Sequence, residues 1–384
     1  MPERPARLAE IQPFHVMALL ARARALEAAG RSIVHMEIGE PDFPTPGPII
    51  EAGMRAVETG RMHYTPARGL PALREAIAGW YARTGVQVDP ERILVTPGAS
   101  GALLLVFGAL VGRDDGVLMA DPGYPCNRNL VRFIEGRAQG VAVGPETAYQ
   151  LTRQLVEDHW REDTAAVLLA SPANPTGTLV SAADLAAIDA LARSRGGRLI
   201  VDEIYHGLVY GERAHSALEV TDEAFVVNSF SKYFGMTGWR LGWMVAPPEY
   251  VEDLDKLAQN LFLAAPTPAQ HAALAAFEPQ TLEILETRRK AFQARRDFLL
   301  PALRGLGFEI PVVPEGAFYL YANCERFSRD SFGFARNLLE DAGVAITPGC
   351  DFGTYRAEAH VRFAYTTSLE HLEEGMRRLE AYLG

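Results

Sequence analysis

The amino-acid sequence predicts an α/β fold with a mostly parallel sheet flanked by helices, accompanied by a smaller α+β domain. From about residue 90, short β-rich runs alternate with helical segments. Most of these runs are apolar at successive positions, which is typical of strands buried on both faces of a sheet. The length of 384 residues suits a large domain with a smaller companion.

The N-terminal part of the chain is mainly helical. A segment rich in Ala, Leu and Arg predicts a helix over 16–29 that ends at Gly30. A short apolar stretch follows, and then a loop at 39–46 whose many turn residues exclude regular structure. Two more helices are predicted at 48–59 and 70–83.

The alternating region supplies the predicted sheet. Helical patterns lie between several of its strands, for example at 101–110 and 181–195. This alternation is typical of a parallel sheet, because parallel strands need a crossover connection. The strands are predicted at 92–96, 116–120, 165–170, 198–201, 225–228 and 241–246.

The last third of the chain has a different pattern. Residues 250–300 predict mainly helix, with a break at the Pro-containing segment 264–268. Strands and helices then mix, which indicates an α+β companion domain. The strands are predicted at 317–322 and 360–364, and the helices at 331–342 and 369–382.

Composition excludes several classes of function. The net charge is −11, from 37 basic and 48 acidic residues without long runs of one sign, whereas nucleic-acid binding needs a basic stripe. The three cysteines fit no zinc pattern or disulfide framework, so we expect no metal. The N-terminus does not resemble a signal peptide, and no apolar run is long enough to span a bilayer. We expect a cytoplasmic protein without nucleic-acid or membrane partners.

Polar and aromatic residues follow five of the predicted strands. In an open α/β sheet, ligands bind beyond the carboxyl ends of the strands. We therefore expect these loops to form one composite site at one edge of the sheet. The loops begin at Pro97, Asp121, Ser171, Asp202 and Ser229.

Two of these loops suggest specific chemistry. The small, glycine-rich loop around Ala99 and Ser100 opens a helix, and such a helix N-terminus suits phosphate, although the same residues also serve as a plain turn. In the loop after residue 228, Ser229 and Arg240 bracket Lys232 with groups that bind anions. A lysine just past a buried strand can lose solvation and become an amine nucleophile. Taken alone, it could equally be a solvated lysine on a turn.

Segment 229–242 closely resembles the cofactor-lysine signature of fold-type I pyridoxal 5′-phosphate (PLP) enzymes of the class I/II aminotransferase family, which are aspartate aminotransferase-like. Five further blocks resemble that family in the same order, and together they run from about residue 10 to the C-terminus. The resemblance implies a seven-stranded type of sheet in a large domain at 46–270. It also implies a discontinuous small domain, formed by 1–45 and 271–384, that closes over substrate. The five blocks are Ile38-Gly39-Glu40-Pro41-Asp42-Phe43, Tyr64-Thr65-Pro66-Ala67-Arg68-Gly69, Asn174-Pro175-Thr176-Gly177, Asp202-Glu203-Ile204-Tyr205 and His360-Val361-Arg362-Phe363.

The resemblance also implies roles for the residues that hold the cofactor ring. Lys232 would form a Schiff base with PLP and, once freed, would move the substrate proton. Asp202 would pair with the pyridine nitrogen and keep it protonated. Tyr205 and Asn174 would bond the phenolic oxygen of the ring, and Tyr124 would stack on its face.

The phosphate and the substrate carboxylate have further implied partners. Arg362 would bind the α-carboxylate as a bidentate fork, with Gly39 and Asn174 beside it. Tyr64 would reach the phosphate bound by the neighbouring subunit, which makes the enzyme a homodimer with shared active sites. Within one subunit the phosphate would be held by Ala99, Ser100, Ser229 and Arg240, with Ser231 as a lesser candidate.

The substrate side chain is expected to be neutral or hydrophobic. Relatives that act on aspartate usually place a cation opposite the second carboxylate, and the sequence offers no clear one. Segment 260–265, expected from the partner subunit, is mostly apolar, and Phe14, Val16 and Met17 can line the same pocket. Two polar residues, His15 and Arg68, have no assigned role. The acceptor implied by the family is 2-oxoglutarate or pyruvate.

Two alternatives share most of these residues. A carbon–sulfur lyase, or another elimination or aminocyclopropane-forming enzyme, has the same fold and nearly the same cofactor residues. A regulator that senses PLP or an amino acid is the second. Such regulators are usually fused to a helix-turn-helix domain, and we expect no room for one, since the chain begins at the catalytic domain.

Overall fold

The computed structural model describes residue 5, residues 7–11 and residues 13–384. The remaining residues of the expected N-terminal portion of the small domain lie outside this description. The strands are β1 (Val34–His35), β2 (Ile93–Thr96), β3 (Gly116–Asp121), β4 (Arg137–Ala142), β5 (Thr164–Ala170), β6 (Arg198–Asp202), β7 (Phe225–Ser229), β8 (Gly242–Val245), β9 (Tyr319–Asn323), β10 (Val344–Ala345), β11 (Thr347–Pro348) and β12 (His360–Ala364).

The helices alternate with these strands and cover both faces of the main sheet. They are α1 (Arg7–Glu10), α2 (His15–Ala28), α3 (Gly47–Glu58), α4 (Pro71–Ala82), α5 (Gly98–Leu110), α6 (Pro125–Phe133), α7 (Arg153–His159), α8 (Ala182–Ser194), α9 (Val251–Leu261), α10 (Thr267–Leu274), α11 (Pro279–Leu306), α12 (Ser331–Asn337) and α13 (Leu369–Leu383). Among the described residues, no helix is both long and apolar enough to cross a membrane.

The main sheet has seven strands in the order β2-β8-β7-β6-β5-β3-β4. Strand β8 runs antiparallel to both of its neighbours, and the other pairings are parallel. The carboxyl ends of β2, β3, β5, β6 and β7 therefore lie at one edge. The predicted α/β fold with a mostly parallel sheet is confirmed.

Alternate residues of the central strands face different cores. In β5, Val167 and Leu169 belong to one apolar cluster, whereas Ala166 and Leu168 belong to another on the opposite face. Burial on both faces explains the continuous apolar runs in the sequence. Each such aliphatic side chain contributes about 1.5–3 kcal/mol when fully buried.

One strand of the main sheet was not predicted. Strand β4 has the sequence Arg-Ala-Gln-Gly-Val-Ala and lies at the sheet edge, where most of its residues are partly or fully exposed. An edge strand with polar and small residues has no apolar pattern to reveal it. The predicted helix at 331–342 also needs correction, because α-helical geometry ends at Asn337 and a π-helical turn covers Leu338–Ala342.

The N-terminal and C-terminal parts of the chain meet in a second unit. Strand β1 pairs with β10, and β11, β12 and β9 form an antiparallel sheet. Helix α11 connects this unit to the main one, since Leu285 packs in the first core and Phe292 and Leu299 pack in the second. This packing supports the division into 46–270 against 1–45 and 271–384, which stays a prediction.

Candidate active site

The loops at the carboxyl edge of the sheet enclose a cavity of about 270 Å³. Strands β2, β5, β6 and β7 each deliver a loop to it, and the second unit covers it with Gly39 and β12. Apart from Tyr64, every residue predicted for the site lines this cavity: Gly39, Ala99, Ser100, Tyr124, Asn174, Asp202, Tyr205, Ser229, Ser231, Lys232, Arg240 and Arg362.

Lys232 lies just past β7 and points across the cavity. Its Nζ donates a hydrogen bond of 2.6 Å to the carbonyl oxygen of Gly39. Burial lowers the pKa of Lys232 to about 8; the nearby Glu40 opposes that shift and Arg362 adds to it. A lowered pKa increases the fraction of neutral amine, which is the nucleophilic form.

Asp202 ends β6 and is buried at the floor of the cavity. One carboxyl oxygen accepts a hydrogen bond of 3.0 Å from the backbone N–H of Ile204. Burial raises the pKa of Asp202 to about 6, while that N–H and the charge of Lys232 pull it down. A buried carboxylate of this kind gains most from a cationic N–H partner placed within the cavity.

Two tyrosine hydroxyls meet on the side of the cavity next to Gly39. The hydroxyls of Tyr205 and Tyr319 lie 2.8 Å apart, and both side chains are buried. A Cβ atom at position 39 would overlap the Tyr319 hydroxyl. Gly39 therefore allows the backbone carbonyl that holds Lys232 to approach this pair closely.

Arg362 of β12 is a buried cation of the second unit. Its guanidinium donates to Asn174 Oδ1 at 2.8 Å, to the Glu37 carbonyl at 2.6 Å and to Thr347 Oγ1 at 3.2 Å. It also packs on the ring of Tyr319 at 4.2 Å. These acceptors are neutral oxygens, and Nε of Arg362 is buried without a partner among the described residues. The guanidinium thus retains charge and hydrogen-bonding capacity for a carboxylate.

The N-terminus of α5 lies at one end of the cavity. Ala99 and Ser100 lie in its first turn, and the helix has no side-chain cap. The Arg240 guanidinium lies so close that a Cβ atom on Gly98 would be 2.6 Å from Nη2. Free N–H groups, a helix dipole and a guanidinium together favour a phosphate.

Ser229, at the end of β7, and Ser231, just after it, line the same cavity. Ser229 Oγ donates to the Leu241 carbonyl at 3.1 Å and accepts from the Ser231 N–H at 3.0 Å. Its hydroxyl oxygen is therefore fixed beside the helix start. Tyr124, on the loop after β3, lines the cavity and accepts a hydrogen bond of 3.1 Å from Cys126 Sγ.

Several other expectations have a structural outcome. Phe14, Val16 and Met17 line the cavity as expected, whereas 260–265 does not contribute to its walls within one chain. Arg68 forms an ion pair of 3.0 Å with Glu91. The ring of His15 packs 5.0 Å from that of Phe332. Tyr64 is 83% exposed and lies outside the cavity of its own chain.

Sequence reasoning missed several residues of the cavity wall. Tyr319 is the first residue of β9, the partner strand of β12, and no recognisable motif surrounds it. Glu37 acts through its backbone carbonyl, which any residue supplies. A usable signal did exist for the turn after β11, because polar and aromatic residues cluster there before β12. The missed residues include Glu37, Tyr319, Thr347, Asp351 and Phe352.

Known proteins resemble this chain over its whole length. The profile of the family Aminotransferase class I and II matches residues 31–379. The valine–pyruvate aminotransferase of Mycobacterium tuberculosis is 38% identical over 386 residues, covering 100% of this chain and 99% of that protein. A (5-formylfuran-3-yl)methyl phosphate transaminase of Methanocaldococcus jannaschii is 36% identical, with 98% of each chain covered.

Solved structures give the same result. A crystal structure of an aminotransferase from Mycobacterium tuberculosis superposes with a TM-score of 0.96 at 37% identity, covering 100% of this chain and 99% of that one. The aspartate aminotransferase of Thermus thermophilus with maleate gives a TM-score of 0.93 at 35% identity, covering 99% of this chain and 100% of that one.

Proposed function

We propose that this chain, which belongs to the class I and II aminotransferase family, transfers amino groups with PLP held in the cavity at Lys232. The chain is an aminotransferase that moves an amino group from an amino acid to a 2-oxo acid. This confirms the first hypothesis from the sequence in preference to an elimination enzyme. The observation that carries the cofactor proposal is the convergence of Lys232, Asp202 and the α5 N-terminus on one cavity.

The residues present fit PLP at each of its functional groups. Lys232 offers an amine of lowered pKa to the aldehyde carbon. The buried Asp202 carboxyl suits the pyridine nitrogen, and the first turn of α5 with Ser229 and Arg240 suits the phosphate. When bound, PLP supplies a ring that accepts the electron pair left at the substrate Cα.

The residues of the chain position the groups and move the proton. Asp202 would stabilise a proton at the ring nitrogen, because a carboxylate beside it favours the cationic form. Tyr205 and Asn174 would offer polar groups to the phenolic oxygen of the ring. The Nζ of Lys232 would take the proton from Cα of the donor amino acid, and in the second half of the reaction it would give a proton to Cα of the product amino acid.

Arg362 is proposed as the substrate-carboxylate site. Its buried guanidinium is oriented by Asn174 and by the Glu37 carbonyl, so little side-chain freedom remains to be lost on binding. Gly39 lies on the same side of the cavity. Since Arg362 belongs to the second unit, closure of that unit would bring the carboxylate site to the cofactor.

We propose a neutral or hydrophobic donor, with pyruvate or 2-oxoglutarate as acceptor. Phe14, Val16 and Met17 supply an apolar wall to the cavity, which suits an aliphatic side chain. The resemblance to a valine–pyruvate aminotransferase supports the same substrate class and favours pyruvate.

We also propose a homodimer in which Tyr64 serves the neighbouring active site. The Thr267 hydroxyl donates to the His63 carbonyl at 2.9 Å, which places the 62–64 loop beside the start of α10. Exposed apolar side chains are concentrated near these segments and on α3, which packs against α10. Such patches are typical of subunit interfaces. They include Met54, Val57, Met62, Tyr64, Leu261 and Leu263.

Absorption spectroscopy tests the cofactor and the reaction together. The purified protein should show a visible absorption band, and valine added alone should bleach it while 2-oxo acid accumulates. Release of ammonia and pyruvate from an amino acid with a leaving group at Cβ, such as cysteine, would contradict the proposal. So would a colourless protein that binds no PLP.

A lysine substitution tests the role of Lys232. Lys232→Ala should lower kcat at least ~1,000-fold and abolish the band, since both the anchor and the proton carrier are lost. Lys256→Ala is the matched control, because Lys256 is exposed on α9 and forms a surface ion pair with Asp253. A Lys232→Ala protein with the parent rate would exclude the mechanism.

A further inference from the structure

Helix α2 is capped by a residue from the far end of the chain. Its own N-cap residue, Phe14, makes no side-chain hydrogen bond. Instead, the two carboxylate oxygens of Asp351 accept the backbone N–H groups of His15 at 2.7 Å and of Val16 at 2.8 Å. A carboxylate at a helix N-terminus satisfies free donors and complements the helix dipole. Asp351 therefore fixes where α2 begins.

This cap determines the position of one cavity wall. Phe14, Val16 and Met17 line the cavity, and all three lie within two residues of the capped N–H groups. The backbone of the 351–352 segment is held in turn by the large unit. The Asp351 carbonyl accepts from Arg128 at 3.2 Å, and the Phe352 carbonyl accepts from the Gly123 N–H at 2.8 Å. The apolar wall is thus tied to both units through one short segment.

Asp351 also brings its own charge to the cavity. It is buried and lines the same space as the apolar wall. The cations that line the cavity within the described chain are Lys232, Arg240 and Arg362, and the proposed function assigns one group to each of them. Among the groups that one chain supplies, a second substrate carboxylate would therefore meet apolar side chains and a carboxylate, which is unfavourable for a desolvated anion.

We infer that Asp351 is a specificity-determining residue that restricts this enzyme to monocarboxylate substrates. It does so by holding the apolar wall in place and by repelling a second carboxylate. The inference rests on the proposed function and narrows it: the acceptor is of the pyruvate class, and 2-oxoglutarate, aspartate and glutamate are poor substrates.

Binding of unreactive carboxylates tests this without turnover. Calorimetric titration of the PLP-loaded protein with 3-methylbutanoate and with glutarate should show a dissociation constant at least about tenfold lower for the monocarboxylate. Asp351→Asn should shift the ratio of the two constants about tenfold towards glutarate, because the repelling charge is removed. Asp351→Glu, which keeps the charge, should keep the preference.

A matched control separates charge at the cavity from charge elsewhere. Asp89 also accepts a backbone N–H at a short helix start, at 2.9 Å from Glu91, but it is exposed and lies outside the cavity. Asp89→Asn should leave the binding ratio unchanged. Thermal unfolding of each variant checks that it is folded.

The acceptor preference of the unmodified enzyme is a second test of the restriction to monocarboxylates, and it does not require Asp351→Asn to fold. The amino form of the enzyme should react with pyruvate at least about tenfold faster than with 2-oxoglutarate at equal concentration. Equal rates, or a binding ratio unaffected by Asp351→Asn, would overturn the inference while leaving the aminotransferase intact. An enzyme that no amino acid converts to the amino form would instead refute the proposed function.

Discussion

At the scale of residues, burial acts in opposite directions on the pKa values of Lys232 and Asp202. It lowers the first to about 8 and raises the second to about 6. In both cases the neutral form is favoured, because removing water penalises the charge. Burial in one cavity therefore increases the fraction of neutral, nucleophilic amine at Lys232. It also means that a cationic partner would stabilise the ionised carboxyl of Asp202.

The lowered pKa of Lys232 predicts a pH dependence. In cofactor-free protein, the rate of reaction with pyridoxal should rise with pH and level off above about 8, since only the neutral amine reacts. Pyridoxal is used because it lacks the phosphate, whose own titration would intrude. The rate is followed by absorbance; a rise that continues to pH 10.5 would contradict the prediction.

The same shift affects stability. Between about pH 8 and 10.5, Lys232 binds more protons in the unfolded chain than in the folded one. The free energy of unfolding therefore increases with pH in that window. Below about pH 8, Lys232 is protonated in both states, and the full cost of burying its charge lowers the stability of the fold.

Arg362→Lys tests the guanidinium fork. A lysine cannot reproduce bonds to Asn174 and to a substrate carboxylate at once, so kcat/KM for valine should fall about 10- to 100-fold, or ~1.5–3 kcal/mol. Steady-state kinetics measures the loss. Arg377→Lys, at an exposed position on α13, is the control, and an equal effect in both variants would argue against the role.

At the scale of elements, the start of α5 and the β7–β8 turn meet at the proposed phosphate site. Gly98 has φ of +71° and lies under the Arg240 guanidinium. Strand pairing of β8 with both β2 and β7 brings these two segments together. The proposed phosphate site therefore depends on β8, the strand that runs antiparallel to both of its neighbours in the main sheet.

Gly98→Ala should weaken cofactor binding. The added Cβ both strains a left-handed backbone position and displaces Arg240, so the dissociation constant for PLP should rise about tenfold. Gly79→Ala is the control, since Gly79 lies in α4 with open space around it and should be stabilised by about 0.5–1 kcal/mol. Fluorescence titration with PLP compares the two; an unchanged constant in Gly98→Ala would contradict the prediction.

At the scale of the whole molecule, the position of Tyr64 is compatible with the proposed shared active site. This tyrosine is exposed and lies outside the cavity of its own chain, next to exposed apolar residues. In the proposed twofold dimer, each Tyr64 would serve the cavity of the other subunit.

Complementation tests the shared site. Tyr64→Ala and Lys232→Ala homodimers should each be impaired, the first by weaker phosphate binding. After unfolding and refolding as an equal mixture, activity should recover to about a quarter of the native value, because half of the dimers are mixed and each has one intact site. Recovery that does not exceed the activity of the Tyr64→Ala protein alone would indicate that Tyr64 serves its own chain or no active site.

Local sequence patterns were enough to predict the layered architecture, the edge of the sheet that carries the candidate site, and the place of Lys232 within it. These features can be predicted because buried strands and the loops that follow them are each recognised from the residue types of a short, continuous segment. Strand β4 was missed for the converse reason, since an exposed edge strand has no apolar pattern.

The groups that meet in the cavity from distant parts of the chain could not be predicted without the folded structure. Tyr319 contacts Tyr205 across 114 residues, and Asp351 caps α2 across 336 and 335 residues. No periodicity connects positions so far apart; their contacts arise when the first and last parts of the chain pack into one unit beside the sheet. The chemistry proposed for Lys232 could therefore be predicted from consecutive residues, whereas the apolar wall proposed to select the substrate depends on packing.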